Sequence, residues 1–264
     1  MIWGKLLGAA FGFALFHLPG ALLGAWLGHH FDKGIAFNNF GFAADPEQAK
    51  RSFFSTLFKV MGHIAKADGR VTESEINMAK AIMSHMRLNE ERRKAAIEYF
   101  NQGKQPEFNL TACLDEFLND TGRAPNLIQM FIEIEIQAAF ADGQLGSAER
   151  NILERIAREV GISTIQLNLL INSVQAQHRF HQSQQQSYSA NPENTLADAY
   201  QVLCVDANAS DSEVKKAYRK MMSQHHPDKL AAKGLPDDML EVAKEKTQEI
   251  QSAWEVIRKH RGLR

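Results

Sequence analysis

The chain has 264 residues and a formal net charge of −1, with 44% hydrophobic and 23% charged residues. That length suffices for one large domain, or for two small domains with their connections. The near-zero net charge provides no bulk field that would attract a polyanion, so a nucleic-acid partner is not expected. The two cysteines, Cys113 and Cys204, form no CxxC pair. This is typical of a reducing compartment and leaves a zinc ribbon without ligands.

The first predicted element is a membrane-spanning helix. Residues 6–28 form a run of 23 residues without a formal charge. At about 1.5 Å per residue, this run can cross a hydrocarbon core of roughly 30 Å. A signal peptide would have a shorter apolar core and a small-residue cleavage site, and no convincing site precedes His29. We predict that residues 1–31 are an uncleaved membrane anchor and that residues 32–44, rich in Gly, Asn and Phe, are a tether.

Glycine recurs in the anchor at intervals of four. The residues in this register are Gly4, Gly8, Gly12, Gly20, Gly24 and Gly28. Small residues at this spacing allow two helix backbones to approach closely in lipid. Glycine is also common in membrane helices in general, which is the alternative explanation. The regular spacing favours self-association, so we predict a homodimer formed through the anchor, with Gly8, Gly12, Gly20, Gly24 and Gly28 in the contact.

The middle of the chain, residues 45–178, shows helical periodicity throughout. Its prolines are Pro46, Pro106 and Pro125, at places where helices can begin or end. Apolar residues at spacings of three and four form one stripe in residues 54–65 and another in residues 128–139. No segment alternates as a strand would. We therefore predict about seven helices here and an all-α fold for the chain.

This middle part contains an internal repeat. Residues 65–75, AKADGRVTESE, recur as residues 139–149, AFADGQLGSAE. Each copy places an Asp-Gly turn between two predicted helices. Two such turns in an all-helical segment resemble the TerB domain of tellurite-resistance proteins, and the resemblance extends over most of the middle part.

Two interpretations of these turns compete. Their acidic residues could surround a divalent cation, although the spacing is not that of an EF-hand. The candidate ligands would be Asp68, Glu75, Asp142 and Glu149. Alternatively, Gly69 and Gly143 end helices in the left-handed conformation, while Thr72 and Ser147 cap the helices that follow. The second interpretation is favoured, and we assign no metal ligand.

A flexible linker is predicted next. Residues 175–194, QAQHRFHQSQQQSYSANPEN, are rich in glutamine and serine and have almost no apolar content. Such a composition buries no core and is typical of a linker, which we place at residues 179–194.

The final domain then occupies residues 195–264, where residues 240–257 carry apolar side chains at heptad-like spacing.

The most informative stretch is residues 213–229, EVKKAYRKMMSQHHPDK. Apolar residues at helical spacing form one face, and cations form the other. The apolar face is Val214, Ala217, Tyr218, Met221 and His225; the basic face is Lys215, Lys216, Arg219 and Lys220. Ser210 and Glu213 fit a capping box at the helix start. Pro227 forces His226 out of the helical conformation, so the helix must end there and present His226 and Asp228 on a tight loop.

The stretch resembles the second helix and signature loop of a J domain, the module by which DnaJ-type co-chaperones act on Hsp70. Residues 196–203 and 248–257 resemble the first and third J-domain helices. The resemblance implies a DnaK-type Hsp70 as partner, contacted by His226, Pro227 and Asp228 together with the basic face. In this family the aspartate engages an Hsp70 arginine near the interdomain linker.

The whole arrangement resembles the membrane-anchored DnaJ-like co-chaperones of Gram-negative bacteria. It implies a single-pass inner-membrane protein with a short periplasmic N-terminus and a cytoplasmic bulk, which brings Hsp70 to membrane-associated clients or signalling proteins. Neither a phosphate-binding loop nor a nucleophile–base pair occurs, so we predict no enzymatic activity and no cofactor. The alternative hypothesis is a metal or envelope-stress sensor that uses the TerB-like domain, with the J domain as effector.

Overall fold

The structure, a computed structural model, describes residues 45–67, 69, 73–140, 143–185 and 192–263. Regular secondary structure within these residues is entirely helical, which confirms the predicted all-α class. The first seven helices are α1 (Pro46–Ala65), α2 (Glu73–His85), α3 (Glu90–Gly103), α4 (Leu110–Asp120), α5 (Pro125–Ala139), α6 (Ser147–Glu159) and α7 (Thr164–Gln185). They are followed by α8 (Pro192–Val202), α9 (Asp211–His225), α10 (Pro227–Ala231), a 3-10 turn (Asp237–Met239) and α11 (Leu240–Arg261).

The predicted anchor, tether and glycine contact lie in residues 1–44, outside the described part of the chain. Among the helices that the structure describes, none combines the length and the apolar content that crossing a membrane requires.

Helix starts follow from local chemistry. Asp45 accepts a hydrogen bond from the backbone N–H of Glu47 at 3.0 Å, and Pro46 occupies the first helical position, where a missing N–H costs nothing. Asn89 and Asn109 cap α3 and α4 in the same way. These caps set the beginnings of three helices by satisfying backbone donors that have no partner inside the helix.

The two repeats form the same turn after α1 and α5. Gly69 and Gly143 have φ of +89° and +87°, and each donates its N–H to the carbonyl three residues earlier, at 2.9 Å. The predicted positive φ is confirmed, but the glycines do not end the helices, because Lys66 and Phe140 are the C-cap residues. The predicted cap at Ser147 is wrong, because α6 has Gly146 at the capping position and Ser147 one residue later. The carboxylate of Glu149 instead accepts the N–H of Gly146 at 2.7 Å. Thr72 lies outside the described residues.

A first core forms around α1 and α5, whose predicted apolar stripes are buried. The ring of Phe117 from α4 lies between Phe53 and Phe131, with centroid distances of 5.8 and 4.9 Å. Helices α1 and α3 approach backbone to backbone. A Cβ on Gly62 would lie 2.1 Å from the carbonyl oxygen of Phe100, so only glycine fits there.

A second core lies among α8, α9 and α11. Its buried members include Tyr200, Val202, Leu203, Val214, Met221, Ile250, Trp254 and Ile257. Tyr218 on α9 stacks on Trp254 of α11, with ring centroids 4.9 Å apart and planes 12° from parallel. This contact fixes the rotation of α9 and directs its basic residues away from the core.

Helix α7 connects the two cores and corrects the linker prediction. It continues through Gln185, so residues 179–185 are helical rather than part of a flexible linker. Ala176 and Phe180, which are four residues apart, are buried against the second core, whereas Leu167 and Ile171 belong to the first. Two apolar side chains on one face are sufficient to hold this glutamine-rich segment as a helix. Residues 186–191 lie outside the described part.

Candidate functional site

Helix α9 begins with the predicted capping box. The carboxylate of Glu213 accepts the backbone N–H of Ser210 at 2.8 Å, and Oγ of Ser210 accepts the N–H of Glu213 at 3.4 Å. Hydrogen bonds from the side chain and backbone of Ser210 lower the pKa of Glu213 below its ordinary value. The helix start is thereby fixed, which in turn sets where each basic residue lies along α9.

The basic face of α9 is exposed as predicted. Lys216, Arg219 and Lys220 are exposed and Lys215 is half-buried, opposite the buried Val214, Met221 and His225. None of these four cations pairs with a carboxylate within the described residues. The face therefore carries uncompensated positive charge, which suits it to an acidic surface on a partner.

The His-Pro-Asp turn is a joint between two helices rather than a loop. His226 has extended backbone angles, φ −61° and ψ 122°, and Pro227 immediately begins the short helix α10. The Nδ1 atom of His226 accepts the N–H of Asp228 at 3.2 Å, so His226 both ends α9 and caps α10. The side chain of Asp228 is 92% exposed. A stiff turn thus presents an accessible carboxylate beside the basic face.

A buried ionic cluster lies directly behind this turn. His225 is 1% exposed, and its Nε2 lies 3.1 Å from each carboxylate oxygen of Glu133 on α5. Nζ of Lys246 on α11 lies 2.8 Å from the same carboxylate. Burial alone would raise the pKa of Glu133, but attraction and hydrogen bonding by His225 and Lys246 prevail and hold it well below its ordinary value.

Sequence reasoning missed this cluster because it assigned His225 to an apolar stripe and gave Glu133 no role. One signal was available. Residues 127–136 on α5 are apolar except for Gln129 and the two acidic residues Glu133 and Glu135. A carboxylate in such a run needs a buried cation as its partner or must stay protonated.

The segment after the turn packs into the first core. Leu230, Leu235 and Met239 are fully buried there, although they follow the C-terminal motif in sequence. Gly234, at φ +99°, passes so close to α1 that a Cβ would lie 2.5 Å from the Cβ of Ala49. Ion pairs surround the contact: Lys50–Asp237 at 3.1 Å, Arg92–Asp238 at 2.6 Å, Arg87–Glu241 at 3.6 Å and His85–Glu245.

The structure brings together the predicted residues of the turn and basic face, but not those of the candidate cation site. Asp68 and Asp142 lie outside the described residues, and so does the side chain of Glu75. Glu149 serves as the acceptor at the start of α6. In the part of the chain that the structure describes, no three His, Cys, Asp or Glu side chains gather as metal ligands would.

A basic helix that ends in an exposed His-Pro-Asp turn and packs between α8 and α11 defines the C-terminal part as a J domain. The family models agree: the DnaJ domain matches residues 198–261, and the tellurite resistance protein TerB matches residues 55–171. A third model, the co-chaperone DjlA transmembrane domain, matches residues 1–44. The chain is therefore a J-domain protein with an N-terminal transmembrane domain and a TerB domain between.

Similar proteins match along the whole length. Co-chaperone protein DjlA of Vibrio cholerae is 47% identical over 100% of this chain and 99% of its own. The DjlA proteins of Shewanella oneidensis and Coxiella burnetii are 46% and 42% identical, and the matches cover at least 99% of each chain. No solved structure matches the chain. The chain belongs to the DjlA family of co-chaperones.

Proposed function

We propose that this co-chaperone stimulates ATP hydrolysis by a cytoplasmic DnaK-type Hsp70 and recruits it to membrane-associated clients or signalling proteins. The observation that carries the proposal is the exposed carboxylate of Asp228 on a stiff turn, next to a basic face that has no carboxylate partner among the described residues. Among those residues, only the His226 ring lies near this carboxylate, at 4.0 Å, so the carboxylate is available for a cation on a partner.

Stimulation would proceed in two steps. The cations Lys216, Arg219 and Lys220 attract an acidic surface of the Hsp70 and speed the encounter. Asp228 then binds a basic group of the Hsp70, an arginine in the J-domain family, while His226 and Pro227 fix the backbone that carries the carboxylate. This contact favours the hydrolysing conformation of the Hsp70, and the reaction itself takes place there.

The transmembrane domain confines this activity to a membrane. Because Hsp70 and its ATP are cytoplasmic, residues 45–264 must face the cytoplasm and the short N-terminus the periplasm of the inner membrane. Protease added to inverted inner-membrane vesicles should then remove the J domain, whereas protease added to spheroplasts should spare it. The opposite cleavage pattern would contradict both the orientation and the cytoplasmic partner.

Single-turnover ATP hydrolysis by a purified DnaK-type Hsp70, with the full chain in detergent, tests the function. Asp228→Asn should abolish stimulation because it removes the charge and keeps the size. Its effect on folding should stay within about 0.5 kcal/mol, as for other exposed positions. Glu255→Gln is the matched control, since Glu255 is exposed on α11 and pairs only with Arg258 there. Normal stimulation by Asp228→Asn would disprove the proposed mechanism.

A further inference from the structure

The ring of His225 is held in a single orientation. Its Nδ1 lies 3.0 Å from the carbonyl oxygen of Met221, and its Nε2 lies 3.1 Å from both carboxylate oxygens of Glu133. A carbonyl and an ionised carboxylate only accept hydrogen bonds, so the ring lies between two acceptors that define its orientation. Because His225 is the last residue of α9, this orientation also fixes the backbone that leads directly into His226.

Glu133 is itself immobilised by the helices around it. Gln129, one turn earlier on α5, donates to one carboxylate oxygen at 2.9 Å, and Lys246 donates to the other at 2.8 Å. Lys246 is held in turn by Gln177 of α7, whose side-chain oxygen accepts at 2.7 Å. One carboxylate of the TerB domain thus joins His225, the residue before the His-Pro-Asp turn, to Lys246 on α11.

The other end of the turn is held by the same domain. Leu230, two residues after Asp228, has no exposed surface and belongs to the TerB-domain core. Leu235 is equally buried, and Gly234 lies against Ala49. The turn is therefore fixed on both sides by TerB-domain helices, while the carboxylate of Asp228 extends into solvent.

We propose that Glu133 is a positioning residue for the Hsp70-stimulating turn and acts on it through His225. This inference rests on the proposed function. Glu133 lies outside the J domain and is buried, so it cannot touch the partner; it sets the direction in which the end of α9 presents Asp228. Removing its charge leaves Lys246 buried without its counter-charge and weakens the contact with Nε2 of His225, which releases the ring from its fixed orientation.

Positioning and simple domain adhesion predict different kinetics. The cations of the basic face are exposed, whereas this cluster is buried, so the substitution leaves the basic face intact. The basic face therefore continues to set the concentration of chain that gives half-maximal stimulation. The geometry of the turn matters only in the productive complex, so it sets the maximal stimulated rate. If Glu133 merely joined the two domains, its loss would lower thermal stability without a selective fall in maximal rate.

The experiment titrates the full chain in detergent against a DnaK-type Hsp70 and follows single-turnover ATP hydrolysis. Glu133→Gln should lower the maximal stimulated rate about fivefold or more, the usual size of coupling between two sites, and change the half-maximal concentration less than about twofold. The matched control is Glu135→Gln, the same substitution two residues further on α5, at a side chain that is also buried but has no hydrogen-bond partner among the described residues. It should leave both parameters unchanged.

A double-mutant cycle tests the route through His225. In a His225→Gln background, Glu133→Gln should cause no further fall in maximal rate, because the ring through which it acts is absent. Full additivity would overturn that route. If Glu133→Gln does not fold, Lys246→Gln replaces it and should also lower the maximal rate; an unchanged rate would overturn the proposal.

The outcomes separate this inference from the proposed function. If the parent chain does not stimulate the Hsp70, or if Asp228→Asn still does, the proposed function fails and the inference fails with it. If the parent stimulates and Asp228→Asn does not, but Glu133→Gln keeps the parent's maximal rate, only the positioning role is overturned. A fall caused equally by Glu135→Gln would also overturn it, since any disturbance of α5 would then suffice.

Discussion

Replacing Glu135 should stabilise the protein. Its side chain has no exposed surface, and neither carboxylate oxygen has a hydrogen-bond partner among the described residues. Burial raises the pKa of Glu135 well above its ordinary value of 4.5. An unpaired buried polar group costs about 1–3 kcal/mol. Glu135→Leu, which has a similar volume, should therefore raise the free energy of unfolding near neutral pH by about that amount.

The gain should depend on pH in a definite direction. The pKa of Glu135 is higher in the folded than in the unfolded chain, so protonation of this side chain stabilises the folded state. This stabilisation is complete below about pH 4.5. It is lost as pH rises towards the folded pKa. Glu135→Leu has no proton to lose at this position. The difference in free energy of unfolding between this variant and the parent should therefore be small in acid and increase with pH.

Thermal unfolding of the full chain in detergent, followed by circular dichroism at about pH 5 and pH 8, measures this difference. Each kcal/mol should raise Tm by about 2–4 °C for a protein of this size class. Glu154→Leu is the control, because Glu154 is partly exposed on α6 and pairs with Arg150 at 3.1 Å. A Glu135→Leu chain that is less stable than the parent at the higher pH, or equally favoured at both, would refute the reasoning.

Two further predictions concern the basic face of α9 and the glycines of the predicted anchor. The double substitution Lys216→Glu with Lys220→Glu should slow association with Hsp70, most strongly at low salt, since exposed charges are screened within about 10 Å at 0.1 M ionic strength; an unchanged association rate in stopped-flow mixing would show that the basic face takes no part in docking. In membranes, Gly24→Leu should reduce crosslinked dimer because a bulky side chain prevents close backbone approach, whereas Phe13→Leu should not. Equal dimer yield from both variants would contradict self-association through the glycines.

The local features of the fold could be predicted from sequence because their causes are local. Pro46 and Pro125 begin helices, Gly69 and Gly143 adopt positive φ in the turns that follow α1 and α5, and Ser210 caps α9 through Glu213, three positions later. The exposed basic face followed from helical periodicity alone. For the same reason, the end of α9 before Pro227 was predictable to the residue: proline excludes the helical conformation of the residue before it.

Features that depend on distant partners could not be predicted in this way. His225 has the spacing of an apolar stripe, and its polar role appears only through Glu133, a carboxylate 92 positions earlier in the chain. Phe180 was assigned to a linker because glutamines dominate the composition around it, yet its side chain is buried in the second core. Likewise, no local pattern in the residues after Asp228 indicates that Leu230 and Leu235 are buried in the first core, beside α1.

The stacked pair Tyr218–Trp254 gives the protein an optical reporter of its own. The other tryptophans in the sequence, Trp3 and Trp26, belong to the predicted anchor. With both replaced by phenylalanine, emission from the chain would come from the single indole of Trp254, whose ring stacks on Tyr218 of α9, the helix proposed to meet Hsp70. Its intensity and wavelength could then follow complex formation in real time, without a dye on the surface being studied.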